Sequence, residues 1–121
     1  MSKLILVVED QEDNRRIMRD LLSSVGYEVI EAVTGEEGVA AADTHRPDLI
    51  LMDIQLPGLD GYEATRQIKA NPELEHIPII VVTSYALSGD DVKAFEAGCN
   101  AYVSKPFSPR ELLANIREYL P

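Results

Sequence analysis

Four places in the sequence set chemically capable side chains directly after a short apolar run: Glu9-Asp10 after LILVV, Asp53 after LILM, Thr83-Ser84 after IIVV, and Lys105-Pro106 after AYVS. Three carboxylates gathered at one point repel one another and call for a counter-charge. A hard divalent cation supplies it. Oxygen donors with no His or Cys beside them favour Mg²⁺, which keeps several waters and takes one or two carboxylates together with phosphate oxygens. The backbone carbonyl of Gln55, two residues past Asp53, offers a further oxygen. Lys105 adds one mobile positive charge, able to neutralise a carboxylate at rest and to grip an anionic group when it arrives.

A carboxylate, a Mg²⁺ site, a hydroxyl and an ammonium around one point match phosphoryl transfer best. Asp53 is then the nucleophile and forms an aspartyl phosphate. Mg²⁺ held by Asp10, Asp53 and, through water, Glu9 offsets charge on the attacking and transferred oxygens. Lys105 and the Thr83 hydroxyl bind the remaining phosphoryl oxygens. Taken singly, each residue has a plainer use: Asp10 can cap a helix, Asp53 can end a strand by bonding to the loop PGLDG, and Thr83 is a common strand residue. The argument for a site is their joint occurrence at four strand ends.

The elements that must position these groups follow from pattern. Five apolar runs, Leu4–Val8, Tyr27–Glu31, Asp48–Met52, Pro78–Val82 and Ala101–Ser104, alternate with amphipathic stretches, as in a parallel sheet with crossover helices. LILVV, LILM and IIVV are apolar at consecutive positions, which suits central strands covered on both faces, whereas YEVIE alternates and reads as an edge strand. Helix starts are marked by Thr34 with Glu37, Asp60 with Glu63, Ser88 with Asp91, and Ser108 with Glu111, the last having Pro109 at the first helical position. Gly26 and Gly98 mark stops. The first helix, about Asp13 to Val25, carries Ile17, Met18, Leu21, Leu22 and Val25 as a core stripe, and Asn71–His76 reads as a polar loop. The architecture is α/β: one doubly wound domain of five strand–helix units, with ligands expected beyond the carboxyl ends of the strands.

Composition narrows the function. The 121 residues carry 21 acidic against 11 basic side chains, a net charge of −10, so nucleic acid and anionic membrane surfaces are repelled on average. No run is long enough for a signal-peptide core or a membrane span, which points to the cytoplasm. The length suits residues 1–121 as a single domain without an output domain. Cys99 has no second thiol to pair with and reads as a buried filler; His45 and His76 read as surface residues.

These motifs resemble the response-regulator receiver domain, the phosphoacceptor module of bacterial two-component signalling. VVEDQEDNR, LILMDIQLPGLDG, IIVVTSYA and AYVSKPF carry the resemblance across essentially the whole chain. Within the family, GYEVIEA, PDLILMDIQLPGLDGYEA and GCNAYVSKP are similar to stand-alone receivers, particularly alphaproteobacterial cell-division and polarity regulators. The resemblance implies a flavodoxin-like strand order 2-1-3-4-5, Mg²⁺-dependent phosphorylation of Asp53, Thr83 and Tyr102 as a switch pair, and a cis peptide between Lys105 and Pro106. Ser84, at a phosphoryl-binding position, replaces the Ala or Gly common in the family and narrows access. Gln55 and Tyr85 stand where the family tunes acyl-phosphate hydrolysis. Implied partners are a histidine kinase or phosphotransfer protein as donor, docking on the first helix near Asn14, Arg15 and Met18, and a downstream protein target read through the surface of the fourth helix, fifth strand and fifth helix. The chain itself is then a phosphoacceptor, not a conventional enzyme, and a monomer or a weak phosphorylation-linked dimer.

Four other readings share parts of this pattern. A phosphorelay shuttle and an allosteric effector without onward transfer use the same site. A haloacid-dehalogenase-like phosphohydrolase also uses a strand-end Asp, Mg²⁺, Thr and Lys, but needs an acid two residues after the nucleophile, where Gln55 stands. A flavodoxin-type electron carrier would place a hydroxyl- and glycine-rich phosphate loop after the first strand, where EDQEDN repels phosphate.

Overall fold

The computed structural model describes residues 2–83, 90–105 and 107–121. Elements follow in strict alternation: β1 (Leu4–Val8), α1 (Glu12–Ser24), β2 (Glu28–Ala32), α2 (Gly35–His45), β3 (Leu49–Met52), α3 (Gly61–Ala70), β4 (Ile79–Thr83), α4 (Asp90–Ala97), β5 (Ala101–Ser104) and α5 (Pro109–Tyr119). The strands form one parallel sheet in the order β2-β1-β3-β4-β5. β2 is an edge, as its alternating pattern predicts.

Each central strand is apolar at every position but the last of β4, Thr83, because both of its faces are covered. Leu6, Val8, Ile50, Met52, Ile79 and Val81 pack with Ala42 of α2, Ala64 and Ile68 of α3, and Ala94 of α4. The residues between them, Ile5, Val7, Leu49, Leu51, Ile80 and Val82, pack on the opposite face with Met18 and Leu22 of α1 and Leu112 and Ile116 of α5. Removing this surface from water, at roughly 25 cal/mol per Å² of apolar area, is the main stabilising contribution.

The caps form as the sequence predicts where the residues are described. Thr34 Oγ1 accepts from the Glu37 amide at 3.1 Å, Asp60 Oδ1 from Glu63 at 2.9 Å, and Ser108 Oγ from Glu111 at 3.0 Å. Ser88 lies outside the described residues. α1 ends in a Schellman turn, with the Gly26 amide donating to Ser23 O and the Tyr27 amide to Leu22 O, and Gly26 takes the left-handed conformation this turn needs. The same pair of bonds, Gly98 to Phe95 and Cys99 to Ala94, ends α4.

Three sequence expectations are corrected. The second, third and fourth strands begin one residue later than predicted, because Tyr27 closes the α1 cap, Asp48 pins the start of β1 through its carboxylate (Leu4 amide to Oδ2, 2.8 Å), and Pro78 has no N–H to give a ladder. Ile17 and Val25 are not core: they are 58% and 41% exposed. At about 100° per residue, Ile17 sits a quarter-turn from Met18, and Val25 is the non-helical cap beyond Ser24. Segment 71–76 is anchored rather than simply polar, because Leu74 is buried against the α2–α3 layer.

Cys99 is the buried filler the sequence suggests, its thiol pushed up to about 11 by burial. Among the described residues no helix is long and apolar enough to cross a membrane.

Candidate functional site

The strand-end residues are set in place by hydrogen bonds that continue the sheet one step past its strands. The Asp53 amide donates to Val8 O at 3.0 Å, the Glu9 amide to Ala32 O at 3.0 Å, and the Lys105 amide to Thr83 O at 2.7 Å. Glu9, Asp53 and Lys105 each stand two residues after a side chain of the α1–α5 layer: Val7, Leu51 and Val103. The strand period of two therefore directs all three toward one face, and there they meet.

Lys105 Nζ forms an ion pair with Glu9 Oε1 and lies 3.5 Å from Asp53 Oδ2. Glu9 is fully buried and Asp53 nearly so, so this ammonium is the counter-charge that makes their burial tolerable. The other oxygens are tied to the backbone. Asp53 Oδ1 accepts from the Ile54 amide at 2.7 Å and weakly from Gln55 at 3.4 Å, and Glu9 Oε2 accepts from Gln11 at 3.2 Å. Asp53 is thus held in one orientation with a single oxygen turned toward Lys105.

Asp10 is the outermost acid of the three. One carboxylate oxygen from each of Glu9, Asp10 and Asp53 can be chosen so that all lie within 4.8 Å of one another. Two oxygens on one Mg²⁺ lie at most about 4.2 Å apart, from a Mg–O distance of about 2.1 Å. Small side-chain shifts therefore suffice, and the all-oxygen donor set suits that ion.

The loop after Asp53 is braced from two sides. Ile54 O accepts from Leu56 and Gly61, while the Leu59 amide donates to Glu36 Oε1 at 2.9 Å and holds that carboxyl below its usual range. Thr83 is fully buried at the end of β4. In the β4–β5 register Tyr102 faces Val81 and Ser104 faces Thr83, so Thr83 and the half-buried Tyr102 share the α2–α4 face one step apart. Ser84, Tyr85 and Pro106, with the cis peptide expected before it, lie outside the described residues. His45 and His76 are exposed.

The sequence reading missed three contributors. Arg15, read as a donor contact, turns its guanidinium onto the carbonyls of Glu9 and Asp10. Gly61 admits the Asp53 carbonyl, and Glu36 braces the loop. No periodicity signals such contacts, since they depend on backbone directions.

A five-stranded parallel sheet in this order, with three acids and a lysine at its carboxyl end, defines a class. The chain belongs to the response regulator receiver domain family, whose pattern matches residues 5–117. Among its relatives, it is 47% identical over 120 residues to the polar-differentiation response regulator DivK of Brucella anthropi, covering 99% of this chain and 98% of that one, and 46% identical to DivK of Brucella ovis over the same shares. Solved structures agree. The receiver domain of sensor histidine kinase PA1611 from Pseudomonas aeruginosa, with magnesium coordinated in its active-site cleft, superposes with a TM-score of 0.92 at 40% identity, covering 99% and 98% of the two chains. The Vibrio cholerae chemotaxis protein CheY4 superposes with a TM-score of 0.91 at 26% identity, covering 98% and 99%. The chain is a two-component signalling module, and among the described residues its strand-end aspartate sits in the receiver's sheet order, not in a phosphohydrolase fold.

Proposed function

We propose that Asp53 is the phosphoacceptor of a stand-alone receiver, taking a phosphoryl group from a phosphohistidine. The observation that carries this reading is the position of Asp53: a nearly buried carboxylate, fixed by the Ile54 amide on one oxygen and facing Lys105 with the other. In the transfer, an Asp53 oxygen forms the new O–P bond, the N–P bond of the donor breaks, and imidazole leaves with its electron pair and takes a proton. Mg²⁺, held by Glu9, Asp10, Asp53 and the Gln55 carbonyl, supplies neutralisation of charge on the phosphoryl oxygens when bound.

Lys105 moves from Glu9 toward the incoming oxygens, since a phosphoryl group outbids a single carboxylate for an ammonium. The Thr83 and Ser84 hydroxyls bind the remaining oxygens. Thr83 shifts to do so, and Tyr102, on the same face one register step away, turns inward and reshapes the surface of α4, β5 and α5. A downstream protein reads that surface.

The donor docks on the groove beside the site, about 410 Å³ between α1 and the start of α5, lined by Asn14, Ile17, Met18, Leu21, Lys105 and Phe107 among others. The exposure of Ile17 supports this, because an apolar side chain beside Lys105 gives a donor helix something to cover. Phosphohistidine is made from ATP, which places the exchange in the cytoplasm. The chain acts as acceptor and switch, not as a turnover enzyme.

Intact-protein mass after incubation with acetyl phosphate, with and without Mg²⁺, tests the reading. One alkali-labile adduct that requires both Mg²⁺ and Asp53, and is absent in Asp53→Asn, is expected. No adduct on the native chain would overturn it. Mixing the labelled protein with a histidine phosphotransfer domain then separates a relay from an effector by whether label moves on.

A further inference from the structure

We infer that Arg15 is a positioning residue for the metal site, a clamp that fixes the direction of the Glu9-Asp10 carboxylates by holding their backbone carbonyls. This rests on the Mg²⁺ reading above and adds a residue to it.

Arg15 Nη1 donates to Glu9 O at 2.9 Å and to Asp10 O at 3.1 Å, so one nitrogen spans two consecutive peptides. Its Nε donates to Glu31 Oε1 at 3.2 Å, and Glu31 Oε2 accepts from Arg19 Nη1 at 3.1 Å. The Arg15 side chain is only 16% exposed. Glu31 belongs to β2, and its neighbour Ala32 accepts the Glu9 amide. The acidic turn is therefore held by its amide from β2 and by its carbonyls from α1, through an arginine that β2 itself orients.

Two consecutive carbonyls aimed at one point set the planes of the peptides on either side of Asp10. Those planes set the Cα–Cβ directions of both acids. An ammonium could supply the charge, but a lysine side chain cannot bond both carbonyls and Glu31 in this planar arrangement. Charge alone also predicts the opposite sign of effect: a cation beside a Mg²⁺ site opposes the metal, so deleting it would tighten binding.

The test is Mg²⁺ affinity by isothermal titration calorimetry on the full chain, with thermal unfolding in EDTA as the separate readout of structure. Native protein, Arg15→Lys, Arg15→Ala and Glu31→Gln are compared. The clamp predicts Mg²⁺ binding about 10-fold weaker or more in both Arg15 variants, as for other residues that orient metal ligands, and a smaller loss in Glu31→Gln. Unchanged affinity in Arg15→Lys, or tighter binding in Arg15→Ala, overturns the clamp while leaving the metal site standing. Should Arg15→Ala fail to fold, Arg15→Lys and Glu31→Gln decide, and no weakening in either overturns it. Native protein that binds no Mg²⁺ overturns the metal reading and the clamp with it.

Discussion

Gly61 meets the backbone of Asp53 where no residue with a side chain would fit: a Cβ on Gly61 would stand 2.0 Å from the Asp53 carbonyl oxygen and 2.7 Å from Ile54 Cα. The start of α3 is thereby pressed against the backbone that carries the proposed acceptor. Gly61→Ala must push that backbone aside, because no flexible side chain is there to yield. We expect a loss of about 1–3 kcal/mol in urea unfolding and a phosphorylation rate lower by up to about 100-fold. Gly26→Ala is the control, since Gly26 has open space around it but a left-handed φ of 95°. It should cost about 1–2 kcal/mol with the phosphorylation rate unchanged below the unfolding transition.

Lys105→Met removes the counter-charge of a fully buried Glu9. Breaking such a pair from one side costs about 3 kcal/mol or more. The loss should be largest in EDTA and partly restored by saturating Mg²⁺. Adding Glu9→Gln should recover stability in EDTA, and urea midpoints for the four members of the cycle measure the coupling. Equal midpoints for Lys105→Met with and without Mg²⁺ would count against shared occupancy of the site.

Tyr102→Ala should leave the mass adduct on Asp53 intact and remove most of the phosphorylation dependence of partner binding. The measurement is affinity for the cognate target, with and without phosphodonor. Affinity that still responds to phosphodonor as in the native chain would sink the coupling between Thr83 and Tyr102.

Glu36 links acidity to the loop after Asp53. The Leu59 amide favours the charged carboxylate, so its folded pKa lies below the ordinary glutamate value. A depressed carboxylate contributes stability above its unfolded pKa, and the contribution disappears as pH falls through the folded value. The Leu59 amide resonance should therefore titrate with a midpoint below that of an ordinary glutamate. Glu36→Gln should abolish the titration, and an ordinary midpoint in the native chain would refute the assignment.

Thr65 Oγ1 is buried with no hydrogen-bond partner among the described residues. An unsatisfied buried hydroxyl costs about 1–3 kcal/mol, and Val matches Thr in shape and helix propensity. Thr65→Val should raise the urea midpoint, whereas Thr65→Ser, which keeps the hydroxyl and loses the methyl, should lower it.

The sheet and its acidic end were readable because each relevant residue breaks an apolar run. Asp53 after LILM and Lys105 after AYVS announce themselves by contrast. Ile17 and Val25 misled because helical spacing marks a broad apolar arc, while the sheet covers only the part centred on Met18 and Leu22. Leu74 was hidden for the opposite reason, being one apolar residue in a segment with no period to betray it. The Arg15 contacts were beyond pattern altogether: surface arginines on helices are ordinary, and only the carbonyl directions of Glu9 and Asp10 set this one apart.

The pairing of β1 with β3 places Asp53 at the centre of the sheet, its own amide bonded to Val8. Strands buried on both faces open last, with the protein as a whole, whereas helix ends and edges fray continually. In the proposed function, a mark written on Asp53 is thus inscribed on the part of the molecule least erased by thermal breathing. On that reading its persistence is governed by water reaching the acyl bond, not by local unfolding, and the centre of the sheet keeps the record while the rim displays it.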